Sequence, residues 1–258
     1  MTGRKALITG GAGHLGGVAA DALAELGASV SLLDIEPEAC QAKIENLAEY
    51  DSIPGIAVPC DLLDERSTRG AIKLATNYMG GLDIIVHCAA YVGTTEVSGW
   101  TVPLAEQTVS AWDAALRVNL TAAFVMAQEA REIMETSGNG SMIFFGSTYG
   151  LVAPDFRIYE GTDMVSPAGY ASSKGGILQL TRYLASAMAP KIRVNSITPG
   201  GVWRDQPESF HENYKSRTPL GRMATEQDLK GAVAYLASDM SEYVTGHNLV
   251  VDGGWTAW

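Results

Sequence analysis

KALITGGAGHLG, at residues 5–16, is an apolar run that leads directly into a turn with glycines at positions 10, 13 and 16. Glycine at such positions permits a tight turn, close approach of the backbone to a pyrophosphate, and close packing of the next helix on the strand. The N–H groups at the start of that helix point at the phosphates. The turn is therefore predicted to bind a dinucleotide through Gly10, Gly13, His14, Leu15 and Gly16. An ordinary strand-to-helix turn is the alternative, because a glycine loop alone is a weak signal.

The rest of the chain alternates short apolar runs with longer helical patterns, which is typical of parallel strands covered on both faces. The predicted strands are Lys5–Thr9, Ser29–Asp34, Ile56–Asp61, Ile84–Ala89, Ser141–Gly146, Ile192–Ile197 and Asn248–Asp252. The predicted helices are Leu15–Leu26, Pro37–Tyr50, Arg66–Met79, Ser110–Thr136, Gly169–Ala189 and Glu226–Ala237, and residues 148–168 and 198–225 are expected to be irregular. This order predicts an α/β fold: one doubly wound Rossmann domain over residues 1–258, with a central parallel sheet of about seven strands.

The formal net charge of −11 disfavours wholesale binding to nucleic acid or to an anionic membrane. The N-terminus enters the first strand without a signal-like segment, and the longest apolar runs are too short to span a bilayer. The three cysteines, Cys40, Cys60 and Cys88, fit neither a disulfide framework nor a zinc site, and the four histidines lack metal-ligand spacing. We expect a cytoplasmic protein that acts on a small polar molecule without a metal.

Two acidic residues at predicted strand ends extend the cofactor site. Asp34 follows the glycine turn by about twenty residues, where a carboxylate accepts hydrogen bonds from ribose hydroxyls. Its charge would also repel a 2′-phosphate, which favours NAD over NADP. The alternative is that Asp34 caps the helix beginning near Pro37. Asp61 is expected near the adenine, and Ile35 and Leu62 are expected to contact the cofactor beside these acids.

Tyr170 and Lys174 are four residues apart in YASSK, which places them on one face of a helix. A phenol titrates near ~10, too high for a base at neutral pH unless its anion is stabilised. A neighbouring ammonium stabilises the anion, so Tyr170 is predicted to transfer a proton and Lys174 to lower its pKa. From the spacing alone, a surface tyrosine beside a solvated lysine is the more common arrangement.

Ser147 and Asn119 complete this predicted group. Ser147 follows an apolar strand at its carboxyl end, the edge of a parallel sheet where ligands bind, and can donate to a substrate oxygen. Asn119 lies in a helical pattern although asparagine is a mediocre helix former. An inward Asn119 could hold a water molecule that relays protons from Lys174. The alternatives are a turn residue for Ser147 and an outward polar residue for Asn119.

In order and spacing the chain resembles the short-chain dehydrogenase/reductase family over almost its whole length. The residues that carry the resemblance are the Gly10–Gly16 turn, Asp34, Asp61, Trp112 with Asn119, Ser147, Tyr170 with Lys174, Pro199-Gly200, and residues 245–247 and 251–254. The resemblance implies hydride transfer at the nicotinamide and a catalytic tetrad in which Tyr170 is the general acid/base. Lys174 then also binds the ribose, Ser147 orients the substrate and Asn119 holds the relay water. A homotetramer or homodimer is implied too, with the helices predicted at 110–136 and 169–189 between subunits.

The chain departs from this family pattern at several cofactor positions. The middle glycine is Gly13, where compact members usually have it one residue later. The segment His87-Cys88-Ala89-Ala90 replaces the usual Asn-Asn-Ala-Gly, so only backbone contacts from Cys88, Ala89 and Ala90 are expected. Arg204 stands where a threonine usually binds the carboxamide, so the backbone of Val202, after Pro199 and Gly200, is expected to hold the nicotinamide.

The interval between Ser147 and Tyr170 is also longer than in compact members, and it combines aromatic with charged residues. Such a lining suits a polyhydroxylated substrate, through stacking on rings and hydrogen bonds to hydroxyls. The predicted substrate contacts are Ser147, Tyr149, Arg157, Tyr170, Trp203 and Arg204. The segment is similar to members found in bacterial surface-polysaccharide and flagellin-glycan pathways; a structural flap or subunit contact is the alternative. The aromatic C-terminus, Trp255 to Trp258, is expected to be buried at a subunit interface or beside a neighbouring site.

We therefore predict an NAD-dependent oxidoreductase that interconverts a secondary alcohol and a ketone on a sugar, sugar derivative or polyol. Two other functions stay open. The Gly13 spacing is also typical of sugar epimerases and dehydratases that retain their NAD. The changes at Cys88 and Arg204 would suit a dinucleotide-binding sensor without turnover, although a sensor needs no acid/base residues.

Overall fold

Seven parallel strands form one sheet at the centre of the computed structural model, which describes residues 1–50, 55–93 and 95–258. The strands are β1 (Lys5–Thr9), β2 (Ser29–Asp34), β3 (Ala57–Pro59), β4 (Ile84–His87), β5 (Gly140–Phe145), β6 (Ile192–Pro199) and β7 (Asn248–Val251). Their order across the sheet is β3-β2-β1-β4-β5-β6-β7. The chain reverses its direction of progress between β1 and β4, and open α/β sheets bind ligands at that switch point. The predicted fold class is confirmed.

Successive residues of each central strand contribute to two apolar layers, one on each face of the sheet. Leu7 and Ile85 belong to one layer, whereas Ile8 and Val86 belong to the other. All six residues of β5 are buried, which explains why the strands read as nearly continuous apolar runs. The strand ends, rather than their faces, are therefore the places where this sheet can present polar groups to a ligand.

Eight α-helices connect and cover the strands in the described part of the chain. They are α1 (His14–Glu25), α2 (Pro37–Leu47), α3 (Glu65–Met79), α4 (Val109–Leu116), α5 (Ala122–Ser137), α6 (Ala168–Met188), α7 (Glu208–Lys215) and α8 (Lys230–Ala237). None of the helices in residues 1–50, 55–93 and 95–258 combines the length and apolarity that crossing a bilayer requires.

Several predicted boundaries differ from the structure. The helix predicted over Ser110–Thr136 is two helices, α4 and α5, joined by a wider π-type turn at Arg117–Thr121. Helix α7 lies inside the segment 198–225, which was predicted to be irregular. The strand predicted over Ile56–Asp61 shortens to Ala57–Pro59, because this edge strand pairs only with β2.

The turn between β1 and α1 has room only for glycine at its two ends. Gly10 has a φ of 69°, and a Cβ atom there would lie 2.7 Å from the backbone nitrogen of Ala89. A Cβ atom on Gly16 would lie 2.0 Å from the carbonyl oxygen of Gly10. The turn thus brings the start of α1 against the ends of β1 and β4, as a phosphate-binding turn requires.

Candidate active site

The carboxyl ends of β1, β2 and β4 surround a cleft of about 530 Å³. Twelve of the predicted cofactor residues line it: Gly10, Gly13, His14, Leu15, Gly16, Asp34, Ile35, Asp61, Leu62, Cys88, Ala89 and Ala90. Arg204 lines it as well, from the loop after β6. Residues as far apart in the sequence as Gly10 and Arg204 thus meet at the edge of the sheet that parallel topology predicts for a ligand.

The carboxylate of Asp34 is bound to the glycine turn. One oxygen accepts from the N–H of Ala12 at 3.0 Å, and the other accepts from the N–H of Ile35 at 2.8 Å. The residue that precedes α2 is Glu36, and it makes no side-chain cap. Asp34 therefore faces the cleft beside the turn and does not serve as the helix cap that the alternative interpretation required.

Asp61 occupies the other side of the cleft, two residues beyond the end of β3. Its carboxylate accepts from the N–H of Leu63 at 2.9 Å, which holds the loop after β3 in place. Among the side chains that line the cleft in the described part of the chain, Arg204 is the one arginine or lysine. Acidic groups therefore dominate the end of the cleft formed by β2 and β3.

Tyr170 and Lys174 lie on one face of α6, as predicted. Lys174 is 4% exposed, and its Nζ donates to the carbonyl oxygen of Phe145 at 2.7 Å. Nζ lies 5.8 Å from the centroid of the Tyr170 ring. Burial lowers the pKa of Lys174 from 10.5 to about 8. The alternative of a solvated surface lysine is therefore wrong.

Two further side chains act on the Tyr170 phenol beside Lys174. Burial raises the pKa of Tyr170, and the hydrogen-bonding Ser147 hydroxyl and the Arg204 guanidinium partly offset that rise. Lys174 donates to Phe145, and its Nζ lies over the Tyr170 ring. Arg204, predicted only as a substrate contact, is thus a second cation near the phenol.

Ser147 is buried just beyond the end of β5, where it was predicted. Its Oγ accepts from the N–H of Tyr149 at 3.2 Å and begins the short helical turn at Thr148–Gly150. This bond holds the hydroxyl beside Tyr170. The interpretation of Ser147 as a turn residue and its interpretation as a partner of Tyr170 therefore both apply.

Asn119 is fully buried in the turn between α4 and α5, so it points inward. Its Oδ1 accepts from the N–H of Tyr91 at 2.7 Å, and its Nδ2 donates to the Ser173 hydroxyl at 2.9 Å. Ser173 in turn donates to the carbonyl of Tyr170 at 2.8 Å. The side chain of Asn119 thus ties the loop after β4 to the first turn of α6, and its relay water stays a prediction.

The loop after β6 fixes the other predicted nicotinamide contacts. Gly201 donates its N–H to the Tyr214 hydroxyl at 2.5 Å, and Trp203 donates its N–H to Ala224 at 2.8 Å. Between them, the N–H of Val202 has no hydrogen-bond partner in the described residues. Gly200 lines a separate, smaller hollow, where a Cβ atom would lie 2.9 Å from the Cα of Asp252.

The predicted substrate residues separate into two groups. Tyr149 stands edge-on to Tyr170, with ring centroids 6.5 Å apart, and its hydroxyl is 2.7 Å from that of Tyr159. Arg157 instead forms two hydrogen bonds with Asp155, at 2.8 and 2.9 Å, on the exposed surface. Of the six predicted substrate residues, all of which lie in the described part of the chain, Arg204 is the one that lines the cleft.

An aromatic cluster lies behind Tyr149 and Tyr159. Tyr159 packs on Phe210 of α7, and Tyr214 of the same helix stacks on Trp255 with centroids 4.1 Å apart. Trp203 packs on His211, also from α7. Trp255 is therefore buried within its own chain, whereas Trp258 is 81% exposed. The cluster was not predicted as a unit because α7 was not predicted.

Glu226 and His87 also contact predicted site residues, and sequence reasoning missed both. Glu226 accepts from Arg204 at 3.2 Å and lies 3.4 Å from the Nδ1 of His14, so it joins the loop after β6 to the glycine turn. His87 is buried at the end of β4. No local sequence signal marks either residue, because both are placed by contacts with distant segments.

Comparisons with known proteins identify the family of this chain. A family model described as "Enoyl-(Acyl carrier protein) reductase" matches residues 11–256. The sorbose reductase of Schizosaccharomyces pombe is 30% identical over 263 residues, covering 99% of this chain and 96% of the relative.

Two solved structures extend the comparison. A short-chain dehydrogenase from Leptospira borgpetersenii with bound NAD+ is 32% identical, with a TM-score of 0.82, and the match covers 99% of this chain and 94% of the other. An NADPH-dependent 3-quinuclidinone reductase from Rhodotorula rubra is 29% identical, with a TM-score of 0.87 and coverage of 100% and 93%. The chain belongs to the short-chain dehydrogenase/reductase family, and it is an oxidoreductase that acts on CH–OH groups with a nicotinamide dinucleotide.

Proposed function

We propose that this protein uses NAD to interconvert a secondary alcohol and a ketone on a sugar, sugar derivative or polyol, with Tyr170 as the general acid/base. The observation that carries the proposal is the meeting of Ser147, Tyr170 and a buried Lys174, which Arg204 connects to the glycine-lined cleft because it lines that cleft and acts on Tyr170. Residues 1–258 are proposed to act as one binding and catalytic domain.

The cleft fits a dinucleotide, because the glycine turn and the first residues of α1, which has no side-chain cap at its N-terminus, line it and can present N–H groups to a pyrophosphate. Asp34 supports NAD rather than NADP. Its carboxylate is held at the turn by Ala12, and the next residues are Ile35 and Glu36, so this end of the cleft offers no cation to a 2′-phosphate. The N–H of Val202 is proposed to hold the carboxamide, and Lys174 the nicotinamide ribose.

Side chains of this protein would bind the substrate oxygen and transfer the proton on it. When bound, the nicotinamide supplies the acceptor or donor of the hydride. Ser147 donates a hydrogen bond to the substrate oxygen, and Tyr170 removes or returns the proton on that oxygen. Asn119 fixes the first turn of α6 through Ser173 and so holds Tyr170 in register with Ser147. Most of this contribution is orientation of the reacting groups.

The surface that Tyr149 and Tyr159 form beside Tyr170, here called the substrate wall, favours a molecule with several hydroxyl groups. Tyr149 and Tyr159 present a hydrogen-bonded pair of hydroxyls beside Tyr170, and each phenol can both donate and accept. Their rings supply flat surfaces for the carbon skeleton of a sugar. The likeness to a sorbose reductase supports the same substrate class. Arg204 would contact the cofactor phosphates or an anionic substrate group from the cleft wall. The branch of polysaccharide and flagellin-glycan enzymes stays a prediction.

The test is a screen of polyols and keto sugars with NAD and with NADP, followed by Tyr170→Phe. We expect turnover of a polyol or keto sugar with NAD, loss of turnover in the variant, and unchanged NADH affinity. Tyr183→Phe on the same helix, where Tyr183 is 64% exposed, is the matched control. Full turnover by Tyr170→Phe would remove this residue from the mechanism.

We also propose a homotetramer or homodimer in the cytoplasm. Val109 and Trp112 of α4 and Phe124 of α5 are exposed at 75%, 36% and 41%, on helices expected to pack between subunits. Apolar side chains grouped on neighbouring helices are typical of an interface. Light scattering coupled to size-exclusion chromatography tests it, and a monomer at all concentrations would contradict it.

A further inference from the structure

The loop after β6 and Glu226 hold Arg204 at its backbone and at its side chain. The N–H of Arg204 donates to Oε1 of Gln206 at 2.7 Å, and Gln206 donates from Nε2 to the carbonyl of Val202 at 2.9 Å. The chain bends between Arg204 and Gln206, where Asp205 has a φ of 55°. At the side chain, Nε of Arg204 donates to Oε1 of Glu226 at 3.2 Å. The position of the guanidinium is therefore set before any ligand binds.

The outer end of the Arg204 guanidinium is available to a ligand. Among the described residues, Nε is the one side-chain nitrogen of Arg204 that has an acceptor, so Nη1 and Nη2 have none there. Arg204 also lines the cofactor cleft, from the loop after β6. A guanidinium that is anchored through Nε can present its planar pair of Nη groups to two oxygens of one anion.

Glu226 is held by a well-braced turn. It begins the short helical turn Glu226–Leu229, in which a capping box joins Thr225 to Asp228. The Asp228 carboxylate also accepts two hydrogen bonds from the Arg222 guanidinium, each of 2.7 Å. The backbone that carries Glu226 is thus fixed by contacts that do not involve Arg204.

Glu226 also contacts the glycine turn. The oxygen that accepts from Arg204 lies 3.4 Å from Nδ1 of His14, the first residue of α1. One carboxylate oxygen therefore brings the guanidinium beside the start of α1, where N–H groups are free to bind a phosphate. His14 and Arg204 are two of the positions at which the sequence departs from the family pattern, and both departures meet at Glu226.

We propose that Glu226 is a positioning residue that holds Arg204 ready to bind the pyrophosphate of the nicotinamide dinucleotide, together with the N–H groups that begin α1. The inference rests on the proposed function, in which this cleft holds the cofactor. A helix N-terminus offers only partial positive charge to a pyrophosphate, which carries two negative charges. The Nη pair of Arg204 supplies a full charge and two parallel donors. This assigns Arg204 to the cofactor rather than to an anionic group on the substrate.

The contacts of Glu226 contribute little to folding. The side chains of His14, Glu226 and Arg204 are 65%, 28% and 32% exposed, and ion pairs that solvent reaches are weak. Substitutions of Glu226 should therefore leave the melting temperature almost unchanged. An effect on cofactor affinity can then be assigned to the site rather than to unfolding.

Charge and positioning predict opposite signs for Glu226→Ala. Removing a carboxylate near a pyrophosphate would tighten NADH binding if the charge acted alone, because like charges repel. If Glu226 positions Arg204, the variant weakens binding, since the free side chain must be ordered when the cofactor binds. We expect the Kd for NADH to rise about fivefold in Glu226→Ala and about tenfold in Arg204→Met. Glu226→Gln, which keeps an acceptor for Nε and loses the charge, should bind NADH at least as tightly as the unsubstituted protein.

Fluorescence titration with NADH measures these affinities, and calorimetry with ADP-ribose, which has the pyrophosphate but no nicotinamide, should show the same changes. In an Arg204→Met background, Glu226→Ala should no longer weaken binding. Glu106→Ala, at an exposed position outside the cleft, is the matched control.

Unchanged or tighter NADH binding by Glu226→Ala would overturn the proposal. So would an ADP-ribose affinity that Arg204→Met leaves unchanged, because Arg204 would then serve the nicotinamide or the substrate. Neither probe requires turnover. Absence of turnover with the whole substrate panel would therefore count against the proposed function alone.

Discussion

Replacing Lys174 with methionine should change how the free energy of unfolding depends on pH. Burial lowers the pKa of Lys174 from 10.5 to about 8, so the folded protein disfavours its charged form. At ~1.36 kcal/mol per pH unit, the difference corresponds to a folding penalty of roughly 3 kcal/mol while the side chain is protonated. Methionine has a similar length and no charge, so it removes the titration.

Whether the free energy of unfolding rises or falls with pH depends on how many protons Lys174 binds in the folded and the unfolded chain. Below about pH 8 both the folded and the unfolded chain hold the Lys174 proton, and the full penalty is present. Between about 8 and 10.5 Lys174 binds more protons in the unfolded chain than in the folded one, so its contribution to stability rises with pH by up to ~1.4 kcal/mol per unit. Groups that titrate in the same window in both proteins, such as the buried cysteines with raised pKa values, cancel in the comparison of wild type with Lys174→Met.

Urea unfolding at several pH values within this window measures the effect. We expect the stability of the wild-type protein to rise relative to Lys174→Met by about 2 kcal/mol across it. Near neutral pH the stabilities of wild type and Lys174→Met should be closer, because two effects of the substitution oppose each other. The variant no longer buries a charge, but the Phe145 carbonyl loses its hydrogen-bond donor, which costs ~1–3 kcal/mol. Lys191→Met, at an exposed position, should run parallel to wild type. Parallel curves for Lys174→Met as well would refute a desolvated Lys174.

Three further outcomes are expected. Asp34→Ala should raise the kcat/KM for NADP relative to NAD by about 30-fold. The reason is that the Asp34 carboxylate and the 2′-phosphate of NADP, a few ångströms apart near a protein surface, repel by ~2–4 kcal/mol. An unchanged ratio would contradict the role of this carboxylate. Tyr159→Phe should raise the KM for a polyol about fivefold with little change in kcat, because one hydroxyl of the substrate wall is lost; a loss confined to kcat would place Tyr159 elsewhere in the mechanism. Stoichiometric NADH formation during turnover should exclude an epimerase or dehydratase that retains its NAD, and turnover without NADH would support one.

The sheet and the cofactor cleft could be predicted from sequence because their signals are local. The glycine turn, the acid that ends β2 and the apolar runs each depend on residues close together in the chain. The turn between α4 and α5 could not be predicted in this way, since the helical pattern continues through it. Asn119 leaves that pattern because its side chain bonds Tyr91 and Ser173, which belong to other segments.

The predicted substrate contacts agree less well with the structure, because most of their positions depend on contacts between segments that are distant in sequence. Arg157 was predicted to meet the substrate, but Asp155 lies two residues before it and binds its guanidinium. This pairing is local, because the two residues are only two positions apart in the sequence. The hydroxyl contact of Tyr149 with Tyr159, by contrast, depends on how the lengthened segment folds against α7. Glu226 was missed because its partners, Arg204 and His14, lie far away in sequence.

The protonation states of Tyr170 and Lys174 bear on whether the folded chain is prepared for ketone reduction or for alcohol oxidation. Burial raises the pKa of Tyr170 and lowers that of Lys174, so both shifts favour the uncharged forms. A phenol held protonated is prepared to act as an acid, which is the role that reduction of a ketone requires. Acting as a base in alcohol oxidation requires the phenolate, which the Ser147 hydrogen bond, the Arg204 guanidinium and the nearby Lys174 ammonium favour, and a bound oxidised nicotinamide would add another positive charge. Cofactor binding should therefore favour oxidation, whereas the acid needed for reduction is already present in the folded chain.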